Sequence, residues 1–288
     1  MRSLLFVPAD SPRKLEKSLD AGADALIVDL EDSVAQSAKP AAREAARKFI
    51  ETARARPARP LLILRINALE SGLADADLDA VMPAAPDAIM LPKARNGADA
   101  QHLGLKLAVR EAQHNLADGA TGIIAIATET AGSIFGLGSW AGASRRLLGL
   151  TWGAEDLSAA LGSEATCGDD GGWTDPYRLA RALTIFAARA AQAEPIDTVF
   201  VNFRDEAGLR AECAAARRDG FSGKMAIHPG QVAVINEVFT PSPEAVERAR
   251  KIIAAFAANP DAGVLSIDGQ MTDRPHLLRA ERLLARVR

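Results

Sequence analysis

Charged and amide side chains recur directly after short apolar runs of this sequence, where several of them could act on one ligand. They are Asp10, Asp29, Glu31, Asp32, Arg65, Asn67, Lys93, Glu129, Glu155, Asp156, Asn202, Arg204 and His228. An acidic residue in such a place also caps the following helix or favours its dipole, which is the simpler explanation for any one of them. Their recurrence after nearly every run predicts that they form a site.

The acidic members of this set suggest a metal. Carboxylates crowded together raise one another's pKa unless a cation neutralises them. Arg65 and Lys93 offset part of the charge, and a divalent ion would offset the rest. Oxygen ligands without a nearby Cys or His pair favour Mg²⁺, or Mn²⁺, over zinc, and Mg²⁺ commonly takes one or two carboxylates. Glu129 and Asp156, which follow consecutive apolar runs, are the predicted ligands.

Two basic residues each allow two interpretations. The planar guanidinium of Arg65 suits a substrate carboxylate, although a structural salt bridge among the acids would also explain it. Lys93, in the context Leu-Pro-Lys, could form a Schiff base, but a lysine in salt bridges is the favoured interpretation. His228 is interpreted as a structural histidine.

The elements that must position these side chains follow from the apolar runs, which are rich in Leu, Ile and Val. The predicted strands are Ser3–Val7, Ala25–Leu30, Leu61–Ile66, Ala88–Leu91, Gly122–Ala127, Leu147–Thr151, Thr198–Val201 and Met225–Ile227. Continuous apolarity is typical of parallel strands covered on both faces. Eight strands that begin about 32 residues apart, with helix-like segments between them, predict a (β/α)₈ barrel (TIM barrel), with a doubly wound sheet as the competing fold.

The helix-like segments between the strands are alanine-rich and charged. They are Ser11–Asp20, Lys39–Ala55, Gln101–Leu116, Tyr177–Ala193 and Glu206–Asp219. The acid- and glycine-rich stretch Gly162–Asp175 predicts a functional loop.

A tail of about sixty residues follows the eighth strand, and it is too short for a separate domain of typical size. We expect residues 1–240 to form the barrel and residues 241–288 a C-terminal helical extension. The tail comprises helix-like Pro243–Ala258, a linker Asn259–Gly269 and helix-like Arg274–Arg286. This extension is expected to pack on the barrel or on a neighbouring subunit.

Composition excludes several classes of protein. Of the 288 residues, 48% are hydrophobic and the net charge is −3, which argues against a nucleic-acid-binding surface. No apolar run approaches the ~18 residues of a membrane span. Two cysteines make no disulfide framework, and the first apolar run is too short for a signal peptide, so a cytoplasmic protein is expected.

Seven motifs, in this order, resemble one known family. They are Arg2-Ser-Leu-Leu-Phe-Val-Pro8, Asp29-Leu-Glu-Asp32, Leu64-Arg-Ile-Asn67, Leu91-Pro-Lys93, Thr128-Glu-Thr130, Gly153-Ala-Glu-Asp-Leu157 and Ala226-Ile-His-Pro229-x-Gln231. Together they resemble the citrate lyase beta subunit-like group of the HpcH/HpaI aldolase superfamily. The resemblance implies a (β/α)₈ barrel, a homotrimer or a multiple of it, and Mg²⁺.

The resemblance also implies residue roles. Glu129 and Asp156 would bind the metal, Arg65 the substrate carboxylate, and Glu31 and Asp32 would lie beside the metal ligands as part of the catalytic set. Gly269-Gln-Met-Thr-Asp-Arg-Pro275 is similar to a C-terminal segment that supplies an aspartate to a neighbouring subunit, which would be Asp273. Gln270 and Thr272 depart from that segment, and Ala9 stands where glycine is common.

The implied activity is Mg²⁺-dependent cleavage of a carboxylated 3-hydroxyacyl-CoA thioester, of the citryl-, malyl- or citramalyl-CoA type, to acetyl-CoA and an oxo acid. Asp273 would act as the general acid. Arg13, Lys14 and Lys17 could contact the CoA phosphates, or form a solvated helix face. Two competing functions are a pyruvate-type aldolase acting on a free hydroxy-keto acid, and a citrate lyase complex subunit acting on an acyl-carrier-protein thioester.

Overall fold

Eight parallel strands close into a barrel in chain order, which confirms the predicted fold and excludes the doubly wound sheet. The strands are β1 (Ser3–Pro8), β2 (Ala25–Asp29), β3 (Leu61–Arg65), β4 (Ala88–Leu91), β5 (Gly122–Ile126), β6 (Leu147–Thr151), β7 (Glu194–Asp197) and β8 (Gly223–Ala226). β1 pairs with both β2 and β8, so the sheet has no free edge. Its parallel register directs every strand's carboxyl end to the same rim.

Helices follow the strands around the outside of the barrel. They are α1 (Pro12–Ser18), α2 (Lys39–Arg54), α3 (Ala74–Val81), α4 (Gly97–Gln113), α5 (Ser133–Gly136), α6 (Ala154–Leu161), α7 (Asp175–Ala190), α8 (Glu206–Asp219) and α9 (Val232–Phe239). The start of α4 lies four residues before the predicted one because the Asn96 side chain caps it, accepting a hydrogen bond from the Ala98 N–H at 3.0 Å.

The barrel interior is filled by apolar side chains from successive strands. Leu4, Ile27, Ile63, Met90 and Ile124 belong to one buried cluster. Side chains that alternate along each strand point inward to this cluster or outward to the helices, and both environments exclude water. This burial on both faces explains why the strands show as continuous apolar runs in the sequence.

The seventh predicted strand was wrong. The strand is Glu194–Asp197, and Thr198–Val201 lies in the loop that follows it. Glu194, Pro195 and Asp197 hide the strand in the sequence. Asp197 is nevertheless fully buried, because Lys224 Nζ at 2.8 Å and the Trp152 indole N–H at 2.8 Å satisfy its carboxylate.

The C-terminal segment contains more structure than predicted. Helix α10 (Pro243–Ala258) has the expected bounds, and the last helix, α11, spans Arg274–Leu284. The expected linker Asn259–Gly269 instead holds strand β9 (Val264–Ile267), which pairs antiparallel with β10 (Gln270–Asp273). Asp268 and Gly269, both at positive φ, make the tight turn that reverses the chain.

The computed structural model describes residues 1–169 and 171–287. Of the functional loop expected at Gly162–Asp175, Asp170 therefore lies outside the described residues, and Cys167 pairs with Trp173 in an isolated antiparallel bridge. The chain divides into two units, Met1–Asn236 and Glu237–Arg288, so the division lies four residues before the expected boundary. No helix in the described ranges has the length and apolar character needed to cross a membrane.

Candidate active site

A cavity of about 330 Å³ opens at the rim formed by the carboxyl ends of the strands. This is the end of a (β/α)₈ barrel at which active sites are found. Apolar side chains, among them Phe6, Ile126 and Met225, form its floor and walls. The ionisable side chains that line it are Asp29, Asp32, Arg65, Glu129, Glu155 and Asp156.

Glu129 is the most buried acid of the cavity apart from Asp29. It lies three residues beyond β5, is 3% exposed, and accepts a hydrogen bond from the backbone N–H of Lys93. Burial raises its pKa to about 8; the Lys93 hydrogen bond opposes this, and the charges of Asp156 and Glu31 add to it. A carboxyl group in this position favours a proton or a metal ion as its partner.

Asp156 lies in the first turn of α6, directly after β6. Because β5 and β6 are neighbours in the barrel, Asp156 and Glu129 line the same cavity. Lys93 contacts both, through its backbone N–H at Glu129 and through Nζ at 3.2 Å from Asp156 Oδ1.

Gly153 makes room for Glu129. A Cβ atom added at Gly153 would lie 2.7 Å from Glu129 Cγ and 3.3 Å from Glu129 Oε1. The backbone of Gly153 is extended, with φ −119°, so its need for glycine is steric and comes from the Glu129 side chain.

Arg65 lies at the end of β3 within a network of ion pairs. Its Nε and Nη2 each donate to Asp29 at 2.7 Å, and Nη1 lies 3.0 Å from Glu31 Oε2. Burial alone would raise the pKa of Asp29, but the hydrogen bond and charge of Arg65 outweigh it and lower that pKa. The structural salt bridge considered for Arg65 is therefore present, and Arg65 also lines the cavity.

Glu31 and Asp32 meet Lys93 at the same rim. Lys93 Nζ lies 2.7 Å from Glu31 Oε1 and 3.1 Å from Asp32 Oδ2. Glu31 is buried and Asp32 is exposed; burial raises the pKa of Glu31, with Arg65 and Lys93 opposing the shift. Lys93 therefore makes salt bridges, in agreement with the interpretation favoured from the sequence.

The donor set fits a hard divalent cation that the protein holds by few ligands. Glu129 and Asp156 offer carboxylate oxygens beside further negative charge, as Mg²⁺ prefers. Within residues 1–169 and 171–287, no group of three His, Cys, Asp or Glu residues is arranged to hold a metal. Two protein ligands would leave the other positions of an octahedral ion to water and substrate.

Four further predicted site residues are not among those that line this cavity. Arg13, Lys14 and Lys17 are exposed on α1, the helix after β1, and none lines the cavity. Asp273 belongs to the C-terminal unit, where it ends β10 and caps α11. A hydrogen bond from His276 lowers the pKa of Asp273, so this carboxyl group is ionised at neutral pH.

Sequence reasoning placed Asp29 and Lys93 among the charged residues at the strand ends and favoured salt bridges for Lys93, but it did not name their partners, and it gave Gly153 no role of its own. Asp29 and Lys93 stand out in the sequence only as charged residues after strands, and Gly153 only as part of a motif. Their roles depend on contacts with Arg65, the rim acids and Glu129, respectively.

Fold and site together define a (β/α)₈-barrel protein with an acidic, metal-compatible rim. A model of the HpcH/HpaI aldolase/citrate lyase family matches residues 2–229, and a model of C-C bond lyases of the TIM-barrel fold matches residues 179–288. The chain belongs to the HpcH/HpaI aldolase/citrate lyase family, which confirms the resemblance drawn from the seven motifs.

The relatives cover nearly the whole chain. A (3S)-malyl-CoA thioesterase from Cereibacter sphaeroides is 37% identical, over 99% of this chain and 94% of the relative. The citrate lyase subunit beta of Leuconostoc mesenteroides subsp. cremoris is 32% identical, over 98% and 92%. A crystal structure of protein CitE from Mycobacterium tuberculosis, in complex with magnesium, acetoacetate and coenzyme A, superposes with a TM-score of 0.77. That protein is 34% identical, over 99% of this chain and 97% of that one.

Proposed function

We propose that this protein is a Mg²⁺-dependent carbon–carbon lyase that cleaves a carboxylated 3-hydroxyacyl-CoA thioester to acetyl-CoA and an oxo acid. Citryl-CoA, malyl-CoA and citramalyl-CoA are the candidate substrates. The observation that carries the proposal is the presence of Glu129, Asp156 and Arg65 around one cavity at the catalytic end of the barrel. Magnesium and coenzyme A bound to the CitE relative support it.

Glu129 and Asp156 would hold the metal. When bound there, Mg²⁺ supplies Lewis acidity to the hydroxyl and carboxylate oxygens of the substrate. Beside Asp156, salt bridges from Lys93 to Glu31, Asp32 and Asp156 hold these charged side chains in position. A related citrate lyase beta subunit has been solved with oxaloacetate and magnesium, which fits an oxo acid as one product.

Arg65 would orient the substrate carboxylate. Asp29 locks two of its nitrogens and the Phe6 ring lies 4.8 Å from the guanidinium carbon, so the guanidinium is held rigidly at the cavity wall. Such positioning aligns the bond between C2 and C3 for cleavage. The hydroxyl proton passes to solvent, and the oxygen's electron pair forms the carbonyl of the oxo acid as the C2–C3 bond breaks. The electron pair of that bond passes to the thioester enolate, which a proton then converts to acetyl-CoA.

Asp273 is the residue proposed to exchange that last proton, from a neighbouring subunit of a homotrimer or a multiple of it. The ionised state that His276 favours suits the reverse reaction, in which Asp273 deprotonates acetyl-CoA. In the cleavage direction, Asp273 must first gain a proton, which a less polar surrounding within the assembled site would favour. Arg13, Lys14 and Lys17 are the proposed contacts of the CoA phosphates.

A cytoplasmic location is part of the proposal. Cys167 and Cys213 are free thiols, and Cys213 is fully buried. Free thiols of this kind persist in a reducing compartment.

Thioester hydrolysis is a second candidate, because the relative that is 37% identical over the whole chain is a (3S)-malyl-CoA thioesterase. Hydrolysis of malyl-CoA releases malate and free CoA, whereas cleavage releases glyoxylate and acetyl-CoA. The two reactions therefore differ in both products.

Two further candidate functions make different predictions. An aldolase that acts on a free hydroxy-keto acid does not need the Met271–Asp273 segment, so its activity should survive Asp273→Asn. A citrate lyase complex subunit that acts on an acyl-carrier-protein thioester should show little turnover of CoA esters when purified alone.

The test is to incubate the purified chain with each of the three CoA esters, with Mg²⁺ and with EDTA, and to separate the products by chromatography. Acetyl-CoA formation that requires Mg²⁺ and is lost in Asp156→Ala supports the lyase. Undiminished turnover in EDTA would refute the metal assignment, and free CoA as the initial product would establish the hydrolase.

A further inference from the structure

Lys93 contacts all four of the acids Glu31, Asp32, Glu129 and Asp156. Its ammonium group lies 2.7 Å from Glu31, 3.1 Å from Asp32 and 3.2 Å from Asp156, and its backbone N–H donates to Glu129. One residue therefore contacts both proposed metal ligands.

The backbone of Lys93 is held in an uncommon conformation. Its φ is +52°, in the left-handed region that a residue with a side chain adopts only at a cost. This conformation accompanies the hydrogen bond from its N–H to Glu129 on one side and the contacts of its side chain with the other acids. The strained conformation occurs where the backbone of Lys93 binds one carboxylate and its side chain binds three others.

The ammonium group stays charged in this surrounding. A lysine side chain is charged at neutral pH, and the carboxylates of Glu31, Asp32 and Asp156, all within 3.2 Å of the Lys93 ammonium, favour that charged form. Lys93 is thus a permanent cation placed next to Asp156. A dication bound to Asp156 and Glu129 would have to share the Asp156 carboxylate with the Lys93 ammonium.

We infer that the Lys93 ammonium competes with the divalent metal for Asp156 and thereby weakens metal binding by the substrate-free protein. The inference rests on the proposed metal site. Glu31 and Asp32 give the ammonium an alternative location, since both already contact it, so Lys93 releases Asp156 without losing all its partners. Metal then binds tightly only when substrate oxygens add to the two protein ligands, which couples metal binding to substrate binding.

The charge of Lys93 determines whether its removal strengthens or weakens metal binding. A positive charge 3.2 Å from Asp156 repels a dication held by the same carboxylate, and water screens part of this repulsion because the Lys93 and Asp156 side chains are each about a third exposed. A residue that only positioned the ligands would have the opposite effect, since its loss would disorder Asp156 and weaken metal binding.

Direct titration of Mn²⁺ into metal-free protein without substrate, followed by electron paramagnetic resonance, tests the inference. Lys93→Met removes the charge and keeps a side chain of similar length, and both residues face the same backbone cost at positive φ. We expect its Kd for Mn²⁺ to be roughly three- to tenfold lower than that of the wild type. A Kd equal to or higher than that of the wild type overturns the inference.

Two controls accompany this variant. Lys93→Arg keeps the charge and should bind Mn²⁺ as the wild type does. Lys106→Met removes an equal charge from a lysine on α4 that pairs with Asp75 at 2.8 Å, and it should not change the Kd. Lys93→Gln replaces Lys93→Met if circular dichroism shows that the latter does not fold, with the same expected direction.

Asp156→Asn separates the inference from the proposed function. If neither the wild type nor this variant binds Mn²⁺, or both bind it equally, the metal site at Asp156 fails, and the inference fails with it. If the wild type binds Mn²⁺, Asp156→Asn does not, and Lys93→Met binds Mn²⁺ no more tightly than the wild type, then only the competition by Lys93 is refuted.

Discussion

Gly153→Ala tests whether the space beside Glu129 is required for metal binding. The added Cβ would lie 2.7 Å from Glu129 Cγ, whereas ordinary contacts of a Cβ begin near 3.4 Å, so the glutamate must retreat by about 0.7 Å. Mg²⁺ demands near-octahedral geometry with oxygen distances of about 2.0–2.1 Å, which a ligand displaced this far does not meet. The φ of −119° suits alanine, so the backbone adds no strain of its own.

The expected result is a Kd for Mg²⁺ about 10- to 100-fold higher, the range seen when groups that orient metal ligands are altered. Crowding should also lower the free energy of unfolding by about 1–3 kcal/mol. Isothermal titration calorimetry measures the first quantity and urea denaturation the second. Gly138→Ala is the matched control, because its added Cβ meets no atom within 4 Å. Wild-type affinity for Mg²⁺ in folded Gly153→Ala would refute the role assigned to Glu129.

Three further expectations concern the acids and Arg65. Because the pKa of Glu129 is raised to about 8, the folded metal-free protein retains a proton that the unfolded chain releases above about pH 4.5. The free energy of unfolding should therefore fall between about pH 5 and pH 8, by at most about 1.4 kcal/mol per pH unit. Glu129→Gln should remove this pH dependence in urea unfolding measured at several pH values. A pH dependence that persists in Glu129→Gln would contradict the prediction. Arg65→Lys keeps the charge but loses the paired hydrogen bonds to Asp29, so kcat/KM should drop by about tenfold or more, and unchanged kinetics would exclude Arg65 from carboxylate binding. Asp273→Asn should lower kcat while leaving Mg²⁺ affinity intact. Mixed oligomers of Asp273→Asn and Asp156→Asn should regain activity if the site is shared between subunits, and no recovery would contradict that sharing.

The pattern of apolar runs in the sequence correctly located seven of the eight barrel strands. It failed at β7, where the strand contains a buried charge. Seven predicted runs coincide with strands to within two residues at each end, because barrel strands are buried on both faces and must be apolar along their length. At β7 this correspondence breaks down, since Asp197 is buried as an ion-pair partner of Lys224. No local pattern reveals a buried charge whose partner comes from the next strand.

The C-terminal hairpin was missed for a different reason. Val264–Ile267 is short and alternates exposed with partly buried residues, so it shows no continuous apolar run. Its partner strand is only four residues long and contains the polar Gln270 and Asp273, of which aspartate is depleted in strands. Only their antiparallel pairing across the turn at Asp268 and Gly269 makes them a sheet.

The sequence by itself determined the barrel and the chemical character of its rim. The repeat of apolar runs encodes eight buried strands, and the residue types that follow them, such as Glu129, Asp156 and Arg65, place acids and a guanidinium at one end. Both can be recognised locally, because an apolar run and the residues that follow it are consecutive in the sequence.

The tertiary structure decided how those groups are connected. Residues separated by 36 or more positions, such as Arg65 with Asp29 and Lys93 with Glu31, meet only because the barrel closes and brings successive loops side by side. The elevated pKa of Glu129 has the same origin, since burial is a property of the folded chain. Ion pairing and desolvation depend on distances in space, which the order of residues along the chain does not contain.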